Sequence, residues 1–253
     1  MTPPELYRLV FWVWLGLGAA VFGLLLFVTA PYGRHGRGGW GPTIGSTAAW
    51  VVMEMPAPLG MFVLFALGSR HGSLVAWIFL ALWEAHYLQR TFVFPFRRRA
   101  SPGRTPIVVV GMALLFNSVN AYLQGAWLFD LGPRLATDWL LDPRFLGGAA
   151  LFAAGMAINI HSDEVLRRLR KPGETGYKIP QAGLHKLVAS PNYLGELMEW
   201  FGWALLTWSL GGIAFALWTA ANLVPRAVSN RRWYRRTFAD YPPQRKALIP
   251  WLL

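Results

Sequence analysis

Apolar runs about as long as a bilayer is thick constrain this chain more than any other feature. A helix needs ~20 mainly apolar residues to cross the hydrocarbon layer. Runs bounded by charged residues, prolines or glycines recur along the whole chain, at residues 9–28, 46–67, 73–94, 106–129, 145–160, 193–210 and 211–228. The pattern predicts an all-α, polytopic membrane protein. We expect a single domain, residues 1–253, with seven transmembrane helices, the last two joined tightly at Gly211-Gly212.

The composition also favours a membrane protein and removes several classes of function. Asp, Glu, Lys and Arg make up 14% of the residues, about half the share usual in soluble domains. The first run has more apolar residues than the ~7–15 of a signal-peptide core, so we expect it to be retained. The absence of cysteine excludes disulfides, thiolate metal sites and cysteine nucleophiles. The five histidines lack the H-E-x-x-H spacing, so we expect no metal.

The basic residues are distributed unevenly between the loops. Eighteen of the 24 Lys and Arg residues lie in segments that follow the first, third, fifth and seventh runs, and Arg226, near the end of the seventh run, brings the number on this side to nineteen. Because cytoplasmic loops accumulate Lys and Arg, the N-terminus is predicted to lie outside and the C-terminus in the cytoplasm. We attribute the net charge of +12 to topology and to phosphate-bearing ligands, and expect no nucleic-acid partner.

Ionisable side chains lie inside the second and third apolar runs. Each costs at least ~2.5 kcal/mol near the centre of a bilayer, so each suggests a function. Glu54 precedes Pro56 and Pro58, two residues that disrupt a helix. Glu84 and Tyr87 are neighbours on one helical face. The alternative roles are a carboxyl that caps a broken helix at Glu54 and an interfacial aromatic at Tyr87.

Two further polar groups lie in the C-terminal two thirds of the chain. Asn117, Asn120 and Gln124 form one amide-lined stripe on the fourth run, for which hydrogen bonding between helices is the expected role. Residues 161–191 are predicted to form a loop with a helix break at Lys171-Pro172-Gly173. This loop carries cationic side chains beside an aromatic ring and an amide, a combination that can bind phosphates. The alternative is a positively charged loop with no ligand. Without a G-x-G-x-x-G motif after a strand, no Rossmann fold is predicted.

Several motifs closely resemble those of the steroid 5α-reductases, membrane enzymes that reduce the 4,5 double bond of 3-oxo-4-ene steroids with NADPH. In the C-terminal half the motifs are Asn159-Ile160-His161-Ser162-Asp163, Leu169-Arg170-Lys171-Pro172-Gly173-Glu174, Tyr177-Lys178-Ile179-Pro180, Asn192-Tyr193-Leu194-Gly195-Glu196 and Arg245-Lys246-Ala247-Leu248-Ile249-Pro250. In the N-terminal half they are Tyr32-Gly33-Arg34-His35, Ala49-Trp50 with Glu54, and His86-Tyr87 with Arg90. The resemblance covers nearly the full chain, and it also implies seven membrane spans.

The resemblance implies where substrate and cofactor bind. Substrate binding is carried over onto Trp50, Met53, Glu54 and Tyr87, of which Glu54 and Tyr87 are the catalytic pair that holds the 3-oxo oxygen. A protonated Glu54 and the Tyr87 hydroxyl would act like an oxyanion hole as hydride reaches C5 and a proton reaches C4. NADPH binding is carried over onto Asn159, Asp163, Arg170, Tyr177, Lys178, Asn192, Glu196, Arg226, Asn230 and Tyr234. Arg170 and neighbouring cations are expected to bind the phosphates, including the 2′-phosphate.

The chain departs from the family's pattern at three of these positions. Met53 stands where a Gln is common, Lys178 where an Arg is common, and Asn230 lies in a usually His-rich stretch. The first departure bears on steroid preference, and the other two bear on cofactor affinity.

Two alternatives remain open. A membrane methyltransferase or another sterol or enone reductase of the same superfamily would resemble residues 190–245, and the methyltransferase would bind S-adenosylmethionine. A transporter would need paired half-helices, and the chain offers only the break at Met55 to Pro58. The expected partners are a steroid or other lipophilic enone and membrane lipid, and the expected state is a monomer. The Arg-rich, cysteine-free composition favours a bacterial homologue in the inner membrane; a eukaryotic one would reside in the endoplasmic reticulum.

Overall fold

The chain is mainly helical in a computed structural model, which describes residues 1–31, 33–36, 38–97, 103–171, 174 and 176–253. The α-helices are α1 (Pro3–Phe27), α2 (Ser46–Glu54), α3 (Pro56–Leu67), α4 (Leu74–Leu88), α5 (Phe94–Arg97), α6 (Ile107–Ala126), α7 (Pro143–Arg168), α8 (Pro191–Thr207) and α9 (Leu210–Thr237). A π-helical segment, Gln89–Val93, extends α4, and another, Trp127–Leu131, extends α6. Short 3₁₀ turns lie at Gly33–His35, Thr137–Leu141 and Gly183–Lys186.

Among the described residues, four helical segments are long and apolar enough to cross a membrane. They are Pro3–Phe27, Ser46–Leu67, Ile107–Leu131 and Pro143–Arg168. These segments coincide with four of the apolar runs, so the predicted helices are confirmed there, and by length and apolarity they are candidate membrane spans. The crossing of the other three runs and the orientation of the termini stay predictions.

Helix boundaries differ from the sequence-based prediction in the C-terminal half. Residues 161–168 continue α7, although the sequence analysis assigned them to a loop. The apolar pattern marks only the apolar part of a helix, and the last turns of α7 are polar. α9 likewise extends past residue 228 to Thr237. The junction before α9 is Trp208-Ser209 and not Gly211-Gly212, since Gly212 N donates to Ser209 Oγ at 3.0 Å, as at a capped helix start. Trp208 makes this tight connection with a φ of 47°.

A short sheet was also missed by the sequence analysis. β1 (Thr43–Gly45) pairs antiparallel with β2 (Arg104–Pro106), and each strand leads directly into a long helix. Ser46 N donates to Gly103 O, and Ile107 N donates to Pro42 O. The pairing therefore joins the beginnings of α2 and α6. Tyr32, Arg37, Arg98, Arg99 and Pro172-Gly173, which carry part of the motif and charge predictions, lie outside the described residues.

The chain forms two compact units. The first comprises Met1–Trp14, Pro31–Leu146 and Thr207–Gly212. In it α6 packs against α2 and α3, and α3 packs against α4. A Cβ added at Gly60 would lie 2.9 Å from Ala121 Cβ, and one at Gly125 would lie 2.8 Å from the Leu64 side chain. Small residues therefore allow α3 and α6 to approach closely, as is common between membrane helices.

The second unit comprises Leu15–Ala30, Gly147–Leu206 and Ile213–Leu253. Here α7 and α8 are nearly in backbone contact, because a Cβ added at Gly155 would lie 2.5 Å from Glu199 N. A pair of reciprocal hydrogen bonds fixes the C-terminal segment, since Ala189 N donates to Lys246 O and Lys246 N donates to Leu187 O. The second unit thus fixes the start of α8 against both α7 and the C-terminal segment.

Candidate functional site

Glu54 lies where the second apolar run divides into two helices. α2 ends at Glu54, and α3 begins at Pro56. Met55 N donates to Val51 O at 3.0 Å, but Pro56 has no N–H to offer Val52, so the helical ladder is interrupted. Glu54 itself is half-buried. The sequence therefore places a carboxyl beside a polar break within an apolar span.

Tyr87 lies near the end of α4, and two aromatic neighbours fix its ring. The side chain is 3% exposed, and its ring centroid lies 4.7 Å from Trp83 and 4.9 Å from His86. Trp83 Nε1 donates to Ala57 O at 3.0 Å, which ties α4 to the first turn of α3. Tyr87 is thus held on the helix that packs beside the break after Glu54.

Trp50 and Met53, the other predicted substrate-binding residues, are fixed to neighbouring elements. Trp50 Nε1 donates to Arg90 O at 3.0 Å, and the Arg90 guanidinium lies 4.8 Å from the Trp50 ring centroid. Met53 O accepts from Asn117 Nδ2 at 2.7 Å. Because the indole N–H is already engaged, Trp50 offers a ligand its ring. The last turn of α2 is therefore held from two sides, by the π segment and by α6.

The amide stripe of α6 makes the hydrogen bonds between helices that the sequence led us to expect. Asn117 bonds to α2, and Gln124 Nε2 donates to Gly211 O of α9 at 2.8 Å. Asn120 Oδ1 accepts from the same Gln124 amide at 3.3 Å. Gly211 belongs to the first unit, so the stripe is part of the framework around the Glu54 break.

In the second unit, three predicted cofactor-binding residues form a connected chain. Asn159 Nδ2 donates to Asn192 O at 3.0 Å, and Asn192 Nδ2 donates to Asp163 Oδ1 at 3.0 Å. Asn159 and Asp163 lie on α7 one turn apart, while Asn192 opens α8. A Cβ added at Gly195 would lie 2.5 Å from Asn159 N. Glycine at this position is therefore what lets the two helices approach closely enough for the chain to form.

Three more of the predicted residues follow one face of α9. Arg226, Asn230 and Tyr234 are spaced four residues apart, so their side chains lie above one another. Arg226 Nε donates to Tyr193 OH at 3.1 Å, and Asn230 Nδ2 donates to Ser190 Oγ at 3.1 Å. This face of α9 therefore meets the start of α8, where Asn192 lies. Tyr234 continues the face and stacks on Tyr241 with centroids 5.1 Å apart.

The loop residues separate into two groups. The Arg170 guanidinium lies 5.6 Å from the Tyr177 ring centroid, and Tyr177 contacts Trp233 of α9 at 4.9 Å. Lys178 Nζ instead lies 2.6 Å from Glu174 Oε2, and this pairing holds the pKa of the Glu174 carboxyl below its usual range. The Glu174 carboxylate therefore offsets the Lys178 charge, while Arg170 lies beside the Tyr177 ring.

The start of α8 suits the phosphates and amide of a dinucleotide. The N–H groups and dipole of a helix N-terminus favour an anion. Amide groups from Asn159 and Asn192, the Arg226 guanidinium and the half-buried Glu196 carboxyl surround this terminus or the helical turn that follows it. The chemistry of these residues is compatible with a nicotinamide dinucleotide, the class of cofactor that the predicted site requires.

Sequence reasoning missed two residues that support this cluster. Ser190 precedes Pro191, the N-cap and first-turn pattern of a helix, so its place at the start of α8 was readable from the sequence. Tyr193, which accepts the Arg226 hydrogen bond, gave no such indication because 33 residues separate the partners.

Known proteins resemble this chain along almost its whole length. A family model described as 3-oxo-5-alpha-steroid 4-dehydrogenase matches residues 103–253. The steroid 5-alpha-reductase DET2 of Gossypium hirsutum is 44% identical over 232 residues, 90% of each chain. The 3-oxo-5-alpha-steroid 4-dehydrogenase 1 of Bos taurus is 44% identical over 94% of this chain and 93% of its own. The Homo sapiens protein of that name is 43% identical over 93% and 91%. The chain belongs to the 3-oxo-5-alpha-steroid 4-dehydrogenase family, that is, to the steroid 5-alpha-reductases.

Proposed function

We propose that this protein reduces the 4,5 double bond of 3-oxo-4-ene steroids with NADPH, as a 3-oxo-5α-steroid 4-dehydrogenase. The observation that carries the proposal is the full-length similarity to relatives named for this activity. The arrangement around Glu54 and Tyr87 supports it independently, because it provides a carboxyl and a phenol in an apolar setting. Such a setting suits a lipophilic substrate with one polar oxygen.

In the proposed mechanism, Glu54 and Tyr87 bind the 3-oxo oxygen of the substrate. A protonated Glu54 donates one hydrogen bond, and the Tyr87 hydroxyl donates another. Both bonds strengthen as negative charge develops on that oxygen, and one such donor contributes about 10²–10³-fold to turnover. Trp50 and Met53 provide apolar contact beside the pair, with the Trp50 ring held by Arg90. Protonation at C4 then completes the reduction.

The second unit is proposed to bind the cofactor. NADPH supplies the hydride that reaches C5 of the steroid. Asn159, Asp163 and Asn192 would bind it through their connected amides and carboxylate, with Glu196 one turn further along α8. Arg170 and Arg226 would contact its phosphates, Tyr177 and Tyr234 would provide stacking surfaces, and Asn230 and Lys178 would complete the polar contacts.

The proposal also extends to the protein's setting. We propose a monomer with seven membrane spans. Its N-terminus is proposed to lie outside and its C-terminus in the cytoplasm, because the Lys and Arg residues cluster in loops on one side. The relatives named above come from a plant and from animals and do not support the bacterial source that the composition suggested. The inner-membrane location accordingly stays a prediction, with the endoplasmic reticulum as its counterpart in a eukaryote.

A turnover assay tests the proposed reaction. The purified protein in detergent is given NADPH with testosterone or progesterone, and cofactor oxidation is followed together with the mass of the steroid product. We expect NADPH oxidation matched by a steroid that has gained two hydrogens, with the 5α configuration. The corresponding 5α-saturated steroids, which lack the enone, are the control and should leave NADPH unchanged.

Two results would contradict this function. Binding of S-adenosylmethionine, with no enone steroid consumed, would indicate a methyltransferase. Reduction of a sterol double bond that is not conjugated to a ketone would indicate another reductase, since the Glu54 and Tyr87 pair would then have no oxygen to bind.

A further inference from the structure

A cavity lies in the first unit at the end of α4 away from Tyr87. It measures about 260 Å³ and is lined by the turn before α4, the first turns of α4 and the segment that follows α6. Val75 in its wall is twelve residues from Tyr87, a distance of roughly 18 Å along a helix. The cavity is therefore separate from the proposed steroid site.

The mouth of this cavity is positively charged. Arg70 and Arg134 both line it. Burial, and then the charge of Arg134, lower the pKa of Arg70, whereas Asp130 acts in the opposite direction. The two guanidinium groups are thus close enough to repel each other, and Asp130, the carboxylate that acts on Arg70, also accepts from Ser69 Oγ at 3.3 Å. The local charge balance favours an additional anion.

The two arginines have different roles at the mouth. Arg70 donates to the carbonyl oxygens of Leu128 at 3.0 Å and Pro133 at 2.7 Å, and so fixes the loop after α6. Its Nε is buried and has no hydrogen-bond partner within the described part of the chain. Arg134 is exposed and makes no hydrogen bond or ion pair to any other described residue. Arg134 is accordingly the cation best placed to bind a ligand.

The wall behind the charged mouth is apolar. Val75, Ala76 and Phe79 line it and are 2–3% exposed. Gly72 lies at the mouth, and a Cβ added there would meet nothing within 4 Å. The volume is slightly below the roughly 300–1,000 Å³ of a drug-sized site, so it suits a small headgroup and the first part of a chain. A free inorganic anion would leave this apolar wall unused.

We propose that this cavity binds an anionic, phosphate-bearing amphiphile, with the phosphate on Arg134 and the start of its acyl chain against Val75, Ala76 and Phe79. Arg70 contributes only its positive charge, because its terminal N–H groups already donate to four carbonyl oxygens of the loop after α6. Membrane phospholipid is the proposed source, because the cavity combines an exposed cation with an apolar wall, as a charged headgroup joined to an acyl chain requires. The proposal does not depend on the reaction that the protein catalyses.

Binding of short-chain lipids to the full-length protein in neutral detergent tests this site. Native mass spectrometry measures retention of dihexanoylphosphatidylglycerol, dihexanoylphosphatidylcholine and inorganic phosphate on wild type. We expect phosphatidylglycerol to be retained at least fivefold more than phosphatidylcholine, and phosphate alone not to be retained. Arg134→Gln should reduce phosphatidylglycerol retention at least fivefold, whereas Arg134→Lys should keep part of it.

Two further variants separate the cavity from a general effect of charge. Gly72→Phe adds a bulky side chain to the cavity lining, at a position where a Cβ meets nothing within 4 Å, and it should abolish retention. Arg8→Gln removes an exposed arginine that does not line the cavity, and it should retain lipid as wild type does. Equal retention by wild type and Arg134→Gln would overturn the proposal. So would retention of inorganic phosphate that competes with the lipid, since the site would then be one for a simple anion.

Discussion

At the scale of single residues, Glu54 and Tyr87 are held in different ways. The backbone at Glu54 is set by Pro56, whose missing N–H interrupts the helix. The ring of Tyr87 is set by packing against Trp83 and His86. Substitutions that keep the shape of each side chain therefore change its hydrogen-bonding group and leave the surrounding packing in place.

Glu54→Gln and Tyr87→Phe should lower steroid turnover and leave NADPH affinity nearly unchanged. Loss of one donor to a developing oxyanion costs about 10²–10³-fold in turnover, and we expect Tyr87→Phe to fall in this range. Glu54→Gln keeps an amide donor but loses the acidic proton, so we expect a loss at the lower end. Steady-state kinetics together with cofactor binding by fluorescence measure both quantities.

Glu84→Gln is the matched control for this pair. Glu84 is another half-buried carboxyl on α4, and we assign it no part in the reaction. Because the proposed mechanism gives Glu84 no hydrogen bond to the steroid, its neutralisation should lower turnover less than Glu54→Gln does. A loss of NADPH binding in Glu54→Gln and Tyr87→Phe would move these residues to the cofactor half of the site.

Arg170→Gln should raise the KM for NADPH about tenfold and change kcat little. A hydrogen bond from a charged donor contributes about 1.5–3 kcal/mol, and each 1.4 kcal/mol corresponds to a factor of about ten in binding. If Arg170 contacts the 2′-phosphate, the KM for NADH, which lacks this group, should not change.

Arg168→Gln provides the comparison for Arg170. Arg168 is two residues away and highly exposed, and it pairs with Glu164 at 2.5 Å. Its removal lowers the positive charge of the region equally, so it should reproduce any effect of charge alone. Equal increases in the KM values for NADPH and NADH in Arg170→Gln would argue against recognition of the 2′-phosphate.

Single residues show how far the sequence predicts the site. Glu54 was identified because a carboxyl beside two prolines is unusual in an apolar run, and the structure indeed breaks the helix there. The contact of Asn192 with Asp163 joins residues 29 positions apart and depends on how α7 and α8 pack. Periodicity along one helix contains no information about such a contact.

At the scale of elements, glycines determine how α7 and α8 meet. Cβ atoms added at Gly148, Gly155, Gly195 and Gly202 would lie 2.5–2.6 Å from backbone nitrogens of the facing helix. Because backbone atoms do not move aside as a flexible side chain does, these positions set the distance between the two helices. The Asn159, Asn192 and Asp163 chain depends on that distance.

Gly195→Ala should therefore destabilise the protein and weaken NADPH binding together. Overpacking of this kind costs about 1–3 kcal/mol, and separation of the helices would lengthen the bond from Asn159 Nδ2 to Asn192 O. Thermal unfolding in detergent and cofactor titration measure the two effects. Gly111→Ala, on an open face of α6 where a Cβ meets nothing within 4 Å, should lower neither quantity. Wild-type NADPH affinity in Gly195→Ala would show that the spacing is not needed.

Elements also show why helix ends were predicted less well than helix centres. The apolar pattern locates the part of a helix that contacts lipid or core, so it ended the fifth run at residue 160 although α7 reaches Arg168. The junction before α9 depends on the Ser209 cap and the Trp208 backbone, two local features with no effect on hydropathy. The β1 and β2 pairing was missed for the same reason, because three-residue strands leave no pattern.

At the scale of the whole molecule, the division into two units parallels the proposed division of labour. Glu54, Tyr87, Trp50 and Met53 all belong to the first unit. The ten predicted cofactor-binding residues all belong to the second. The sequence analysis placed both groups within a single domain, residues 1–253, and this stays a prediction. The basic loops also concern the whole molecule, because they predict which ends of the helices face the cytoplasm.

The absence of native cysteine makes that orientation directly testable, because any cysteine introduced is the only thiol in the chain. Ala136 and Lys186 are both exposed. Ala136 follows the fourth run and is predicted to lie outside, whereas Lys186 follows the fifth run and is predicted to lie in the cytoplasm. In right-side-out membrane vesicles, a membrane-impermeant maleimide should label Ala136→Cys and not Lys186→Cys. In inside-out vesicles the labelling should be reversed, and detergent should expose both thiols. Labelling of both variants from the same side would mean that the run at residues 145–160 does not cross the membrane, and the positive-inside assignment would be wrong.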